Sequence, residues 1–200
     1  MKKAVLFLAL MCLMIAGCAS KHMQPVQDTA AVTAEVGPDR AAIVFLRASS
    51  MGGAVQAPIV EGENGQVKYV GIVSTGAKIR HLTAPGKHLY TVGGESSGFL
   101  EADLEGGKTY YVVVEPKFGA IKSRFALEPV TAATARTEEF KKDFDACEWR
   151  ESKPEASTWF AENKADMQSK FTDAQKKHTT GKPGDRKIVR PEYGIQPPLR

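Results

Sequence analysis

The chain has 200 residues, 42% of them hydrophobic, 25% charged and 8% aromatic, with a formal net charge of +4. That length holds one domain, or one domain with an appendage. The composition excludes a disordered, collagen-like or multi-span membrane protein, and three cysteines are too few for a disulfide scaffold.

Met1-Lys2-Lys3 opens the chain, and an apolar run follows from residue 4 to residue 16. The run is shorter than the ~20 residues a membrane-spanning helix needs. A positive start, a short apolar stretch and small residues at its end describe a secretory signal. The ending, Ile15-Ala16-Gly17-Cys18, resembles the lipobox of bacterial lipoproteins. The resemblance implies that residues 1–17 are removed as a signal peptide. It also implies that a diacylglyceryl thioether forms on Cys18 and that the new amino terminus is acylated. Cys18 is therefore the expected lipid-attachment residue. Several acyl chains hold a protein stably at a bilayer where one holds it only marginally. Ala19, not an aspartate, follows the cysteine. By the same resemblance this favours the outer membrane, with the protein facing the periplasm.

Residues 18–40 read as the lipidated N-terminus and a flexible tether. No apolar stripe repeats there, so no packed element is expected, and a flexible linker of this length spans roughly 25 Å. From residue 41 the character changes. Residues 41–47 (AAIVFLR) are apolar on both alternating faces, as in a strand covered on two sides. Short runs at 57–60, 67–73, 78–82, 88–92, 99–104, 109–115 and 121–127 follow, each bounded by turn residues. Asn64-Gly65 is a hairpin signal, because both residues tolerate positive φ. The expected fold class is mainly β: an antiparallel β-sandwich of about eight strands over 41–130, with two C-terminal helices. No long amphipathic helix interrupts the strands, so parallel βαβ units are not expected.

After Pro129 the period becomes helical. Thr137 is placed to cap a helix, with Glu138 and Glu139 in its first turn. Phe140, Phe144 and Cys147 recur on one face. For a second helix, Ser152 and Glu155 have capping-box spacing and Pro154 falls in the first turn. Ala156, Phe160, Met167, Phe171 and Ala174 form its stripe, flanked by Trp159, and Gly181 and Pro183 stop it. Residues 131–180 thus read as helical and 181–200 as a basic irregular tail.

Loss of Lys2 and Lys3 with the signal lowers the net charge from +4 to +2. Residues 176–200 carry Lys176, Lys177, Lys182, Arg186, Lys187, Arg190 and Arg200 against Asp185 and Glu192. Such a tail suits contact with an envelope protein or peptidoglycan; its bland reading is a solvated tail docked by a few apolar residues. Nucleic acid is not an expected partner. Cys12 leaves with the signal and Cys18 takes the lipid, which leaves Cys147. Its neighbours Phe144 and Trp149 point to a buried thiol, and a catalytic thiolate would need a histidine beside it.

Gly94-Glu95-Ser96-Ser97-Gly98 matches the spacing of an esterase nucleophile elbow. That device needs a strand-to-helix turn, with an acid and then a histidine later in the chain. Here the next element reads as a strand, and His178 is the later histidine. His22, His81, His88 and His178 lack metal-site spacing. His81 and His88 can meet across a hairpin, and read as hydrogen-bonded residues at strand ends. Tyr110 and Tyr111 read as core packing. No phosphate-binding glycine loop occurs, and no cofactor or metal is expected.

Several features over 41–130 carry a resemblance. They are the strand IVFLRAS with Arg47, the segment VGIVSTGAKI, the Pro85-Gly86-Lys87-His88 turn and the Gly107-Lys108-Thr109-Tyr110-Tyr111 strand start. In these the chain resembles a bacterial lipoprotein family built on a domain of unknown function. The resemblance implies a β-sandwich and transfers no catalytic residue. The expected function is that of a lipid-anchored, non-enzymatic binding or adaptor module in the periplasm. The alternatives are a carrier of a small lipid or glycan, and a hydrolase using Ser96.

Overall fold

The computed structural model describes residues 21–53, 55–93, 98–118 and 123–199. In chain order the elements are β1 (Met23–Pro25), α1 (Thr29–Thr33), β2 (Ala41–Arg47), β3 (Ala57–Glu63), β4 (Gln66–Val73), β5 (Ala77–Thr83), β6 (Gly86–Val92), β7 (Gly98–Leu104), β8 (Thr109–Phe118) and β9 (Ser123–Val130). Then come α2 (Ala132–Ala135), α3 (Glu138–Asp145), β10 (Glu148–Ser152), α4 (Ala156–Thr180) and β11 (Ile188–Val189). Single 3-10 turns at Pro183–Asp185 and Pro191–Tyr193 flank β11. The chain is mainly β. No helix among the described residues is long and apolar enough to cross a membrane.

The strands form two sheets, β1-β10-β5-β2-β8-β9 and β11-β7-β6-β3-β4. Buried side chains from both sheets share one cluster, including Ile43, Phe45, Ile59, Tyr90, Leu100 and Val112. The outer face of the first sheet is covered too. Val44, Leu46 and Tyr111 meet Phe140, Phe144 and Cys147 there. On the outer face of the second sheet, Val60, Val67 and Phe99 receive Met167, Phe171 and Ala174 of α4. Each sheet therefore has a dry side facing the other and a helical cover behind it. Every residue of β2 is buried, as its two apolar faces require.

The eight strands expected over 41–130 are present, and β2 has the expected ends. Asn64 at φ 50° and Gly65 at φ 77° turn β3 into β4, the positive pair that matches hairpin twist. The sheets, however, are mixed. β2 pairs with β8, β5 with β10 and β7 with β11, all in parallel. The expectation of purely antiparallel pairing is corrected by the route of the chain. It leaves the first sheet for the second after β2, returns for β5, leaves again, and comes back into β8 beside β2 in the same direction. The opposite sheet supplies the crossover that a helix supplies in a βαβ unit.

Three further strands lie where none was expected. β1 falls in the segment read as a tether without packed structure, β10 between the two helices, and β11 in the tail. They have two to five residues each, too few to show a period. They are held by backbone pairing at sheet edges. β1 pairs with β10 from Met23↔Ser152 to Pro25↔Arg150, and Met23 is buried. Residues 31–37 of the supposed tether are also fixed to the body. Arg80 donates to the carbonyls of Ala31 and Ala34 at 2.6 and 2.8 Å, and Gly107 N donates to Gly37 O at 3.1 Å. The helix caps divide. Thr137 accepts from Phe140 N as expected. Ser152, by contrast, belongs to β10, and α4 starts after Glu155 with no side-chain cap.

Gly106 fixes the closest approach of this N-terminal segment. A Cβ there would collide with the Pro38 carbonyl and press on Pro85. Gly106→Ala should therefore cost ~1–3 kcal/mol, the usual range for forced overpacking. Urea denaturation checks it; an unchanged midpoint would show that residues 36–40 are free to move away.

Candidate functional site

The polar cluster with the densest chemistry is centred on Glu61 of β3. Alternation along β3 puts Glu61 on the same face as Ile59, toward the opposite sheet. Its register partner on β6 is Tyr90, and His88 lies two residues earlier on the same face of β6. His81 reaches the carboxylate from β5 in the other sheet. His81 Nε2 is 2.9 Å from Glu61 Oε2 and His88 Nδ1 is 2.6 Å from Oε1. The Tyr90 hydroxyl donates to Oε1 at 3.3 Å. Glu61 itself is 5% exposed.

The geometry favours the charged form of His88. Its Nε2 lies 2.9 Å from Ala84 O, and a carbonyl oxygen only accepts, so Nε2 carries a proton. Its Nδ1 faces an ionised carboxylate, so Nδ1 carries one too. Both ring nitrogens thus face acceptors, an arrangement that suits an imidazolium. Burial works to raise the Glu61 pKa, but hydrogen bonds from His81 and His88 and their charges outweigh it and hold it at about 2. The bond to Glu61 raises His88 above its ordinary value, against the effect of burial. Burial, with the Glu61 charge, pushes the Tyr90 hydroxyl far upward. Three donors thus occupy both oxygens of one carboxylate. The cluster is an ionic clasp between two sheets.

His88 also lines a groove of about 590 Å³, formed by β6, β7 and residues 188–192. Lys87 and Asp103 form an exposed ion pair on its wall at 3.0 Å, while Leu89, Ile188, Arg190 and Glu192 supply apolar and charged surface. The groove thus offers both signs of charge around an aliphatic strip. Because both nitrogens of His88 are engaged inside, its ring serves the groove as a wall.

The residues singled out from sequence fall as follows. Cys18 and Ser96 lie outside the described residues. Gly98, the last residue of the elbow-like motif, starts β7, so a strand follows the motif. His81 and His88 do meet, on a carboxylate. Among the described residues no group of three or more His, Cys, Asp or Glu could hold a metal ion. Cys147 is buried, and burial pushes its thiol up to about 11. Lys78, also buried, donates to Phe144 O at 2.6 Å and sits 3.8 Å from the Phe144 ring centroid. Tyr110 and Tyr111 are both buried. The Tyr110 hydroxyl donates to Pro191 O, and Leu199 N donates to the Tyr111 hydroxyl. The tail that reads as basic and irregular is therefore docked, with Val189 and Ile195 buried. Glu61 was not singled out. Its signal was an acid on the core face of a strand, visible once the alternation from Ile59 is followed.

Searches against protein-family models and curated proteins find no match to this chain.

The clasp has two pH edges. A carboxylate whose pKa is lowered adds stability above its ordinary value near 4.5, and that stability is lost as pH falls toward about 2. An imidazolium whose pKa is raised adds stability below 6.5, lost as pH rises through the elevated value. Stability should therefore peak between pH 4.5 and 6.5. Glu61→Gln should cost about 3 kcal/mol at pH 6, since it strands buried donors. It should also flatten the acid edge, in denaturation midpoints measured across pH. A wild-type profile in that variant would remove the clasp from the account of stability.

Proposed function

We propose that this protein is a lipid-anchored component of the bacterial cell envelope, attached through Cys18 to the outer membrane. We propose further that it works as a non-enzymatic binding or adaptor module facing the periplasm. The lipobox carries the anchor, and the likeness to lipoproteins of unknown function agrees with it. The groove of about 590 Å³ carries the binding role. It is open and charged in both senses, and one wall is the tail segment 188–192. The partner we favour is an envelope protein that presents a peptide segment of mixed charge; a peptidoglycan stem peptide has the same chemistry. The cluster shared by both sheets supports a sandwich-type body, although its sheets are mixed.

The tail then acts as part of the body. A truncation after Gln175 would remove Val189 and Ile195 from the core, so it could not separate loss of binding from loss of fold. The tether also shortens. Lys21 directly precedes the residues that pair with the body. Only residues 18–20 separate it from the lipid, a reach of ~10 Å at ~3.5 Å per residue. On this reading the body rides close to the headgroups with one edge fixed toward them.

Two other readings receive less support. A carrier needs room between the sheets, and that space is filled by Phe45, Tyr90, Leu100 and their neighbours, each at 0% exposure. The hydrolase reading needs a helix after Ser96, where β7 begins instead.

One experiment addresses anchor and groove together. Cys18→Ser should move the protein from the membrane fraction to the soluble periplasm. Arg190→Glu, at an exposed position of the groove, should leave it on the membrane and abolish crosslinks to its partner in intact envelopes. Crosslinks that survive Arg190→Glu would move the contact elsewhere, and a Cys18→Ser variant still bound to membrane would remove the lipid anchor.

A further inference from the structure

The chain enters its folded body at one corner, and aromatic side chains gather there. His22, just ahead of β1, has its ring centroid 5.1 Å from that of Trp159 in the first turn of α4. Tyr69 of β4 stands 6.2 Å from Trp159 and 5.4 Å from Phe160. Two hydrogen bonds fix the group. Lys153 N donates to His22 O at 3.0 Å, and the Tyr69 hydroxyl donates to Met23 Sδ at 3.5 Å. All four rings are half-buried: each packs on the body and also reaches the surface. The Trp159 indole N–H has no acceptor among the described residues, and it is not closed off from solvent. Neither the clasp nor the groove includes any of these residues.

What covers this corner follows from where the chain goes next. Residues 18–20 lead from Lys21 back to Cys18, a reach of ~10 Å, and a headgroup layer is ~5–8 Å thick. On the reading that Cys18 carries the lipid, on which this inference rests, the corner is held at the bilayer surface. A ring with an apolar body and a polar edge is the side chain that favours such a layer. Trp159 is of that kind, and its N–H is still to be satisfied. The charges acting on His22 are Lys21 and Lys153 against Glu155 and Glu162. Two of each sign give no net pull toward an anionic surface, so the rings supply the attraction and a zwitterionic bilayer suffices.

We propose that the face formed by His22, Tyr69, Trp159 and Phe160 docks on the membrane surface, with the Trp159 indole in the headgroup layer donating its N–H to lipid oxygens. Tyr69 and Phe160 widen the apolar contact, and the pairing of β1 with β10 keeps the face rigid. The lipid then sets the orientation of the body as well as its distance. The groove lies toward the other end of α4, where His178 binds Glu101, roughly 28 Å from Trp159 at ~1.5 Å per helical residue. A body seated in this way keeps the groove clear of the headgroups.

The test uses the full mature chain purified with its lipid from bacterial membranes. It is reconstituted into phosphatidylcholine vesicles whose acyl chains carry bromine near the headgroup end, or none. The chain has two tryptophans, and they are read apart. Trp149→Phe leaves Trp159, and Trp159→Phe leaves Trp149, which packs on Phe144 behind the first sheet. Thermal midpoints confirm that both variants are folded. Bromine should lower Trp159 emission about twofold, as for a ring seated in the headgroup layer, and leave Trp149 unchanged. A flexible Gly-Ser insertion after Ser20 should not restore the emission, because the rings and not the short tether hold the face down. Trp159 emission that ignores bromine, or that recovers with the insertion, overturns the docking and leaves the anchor in place. Equal quenching of both tryptophans overturns it as well. A blue shift of Trp159 without quenching marks a protein contact, such as a second copy, and also overturns it. A purified chain that mass spectrometry shows without acyl groups overturns the anchor and the docking together.

Discussion

The requirement that β2 be dry on both faces organises the molecule. Its seven residues, Ala41–Arg47, are all buried. One face needs the second sheet, and Ile43 and Phe45 find it. The other face needs a cover that residues 41–130 do not contain. Val44 and Leu46 obtain it from Phe140, Phe144 and Cys147. This is the physical reason why the C-terminal third belongs to the same folding unit. At ~1.5–3 kcal/mol for each large apolar side chain fully removed from water, an uncovered β2 would forfeit a large share of a domain's net stability of ~5–15 kcal/mol.

Two buried cations on neighbouring strands are part of the same device. Arg47, at the end of β2, donates to the carbonyls of Val55, Met51 and Gly52 at 2.7, 2.7 and 2.9 Å. Lys78, opposite Leu46 in register, is held by the Phe144 carbonyl and by the rings of Phe144 and Trp149. Neither has a carboxylate partner among the described residues. Carbonyl dipoles and aromatic faces take that role. Arg47 thereby organises the β2–β3 loop, and Lys78 ties α3 and β10 to β5. Replacing either cation by a neutral residue of similar shape would leave carbonyls without donors.

Much of this was legible in the sequence, for definite reasons. The eight strands of 41–130 announce themselves through β-branched runs and turn residues, and Asn64-Gly65 specifies its own turn. Thr137 caps a helix whose apolar positions are the ones buried. The illegible parts share one cause, namely backbone pairing without a side-chain pattern. Met23–Pro25, Glu148–Ser152 and Ile188–Val189 have no period, and each becomes a strand because an edge is there to receive it. The parallel pairing of β2 with β8 is a property of the route through two sheets, which no local window contains. At the site, His81 and His88 were visible as a pair, but their meeting point was not. Glu61 reads as one more charged residue near a turn until the face of its strand is fixed. The tail reads as basic and irregular because its charges are conspicuous, while Val189 and Ile195, the apolar residues it buries, stand singly and show no period.

The pairing of β1 with β10 has a kinetic side. Met23 and Ser152 are neighbours in space but stand at opposite ends of nearly the whole β-rich body. Loop closure over such a separation repays its entropy only after the intervening strands have ordered. β1 is therefore among the last strands to dock, and in a nascent chain it waits for residues that emerge long after it. During that interval the β10 edge and the Met23 side chain are both uncovered. A folding factor, or another copy of the chain, would meet that edge first.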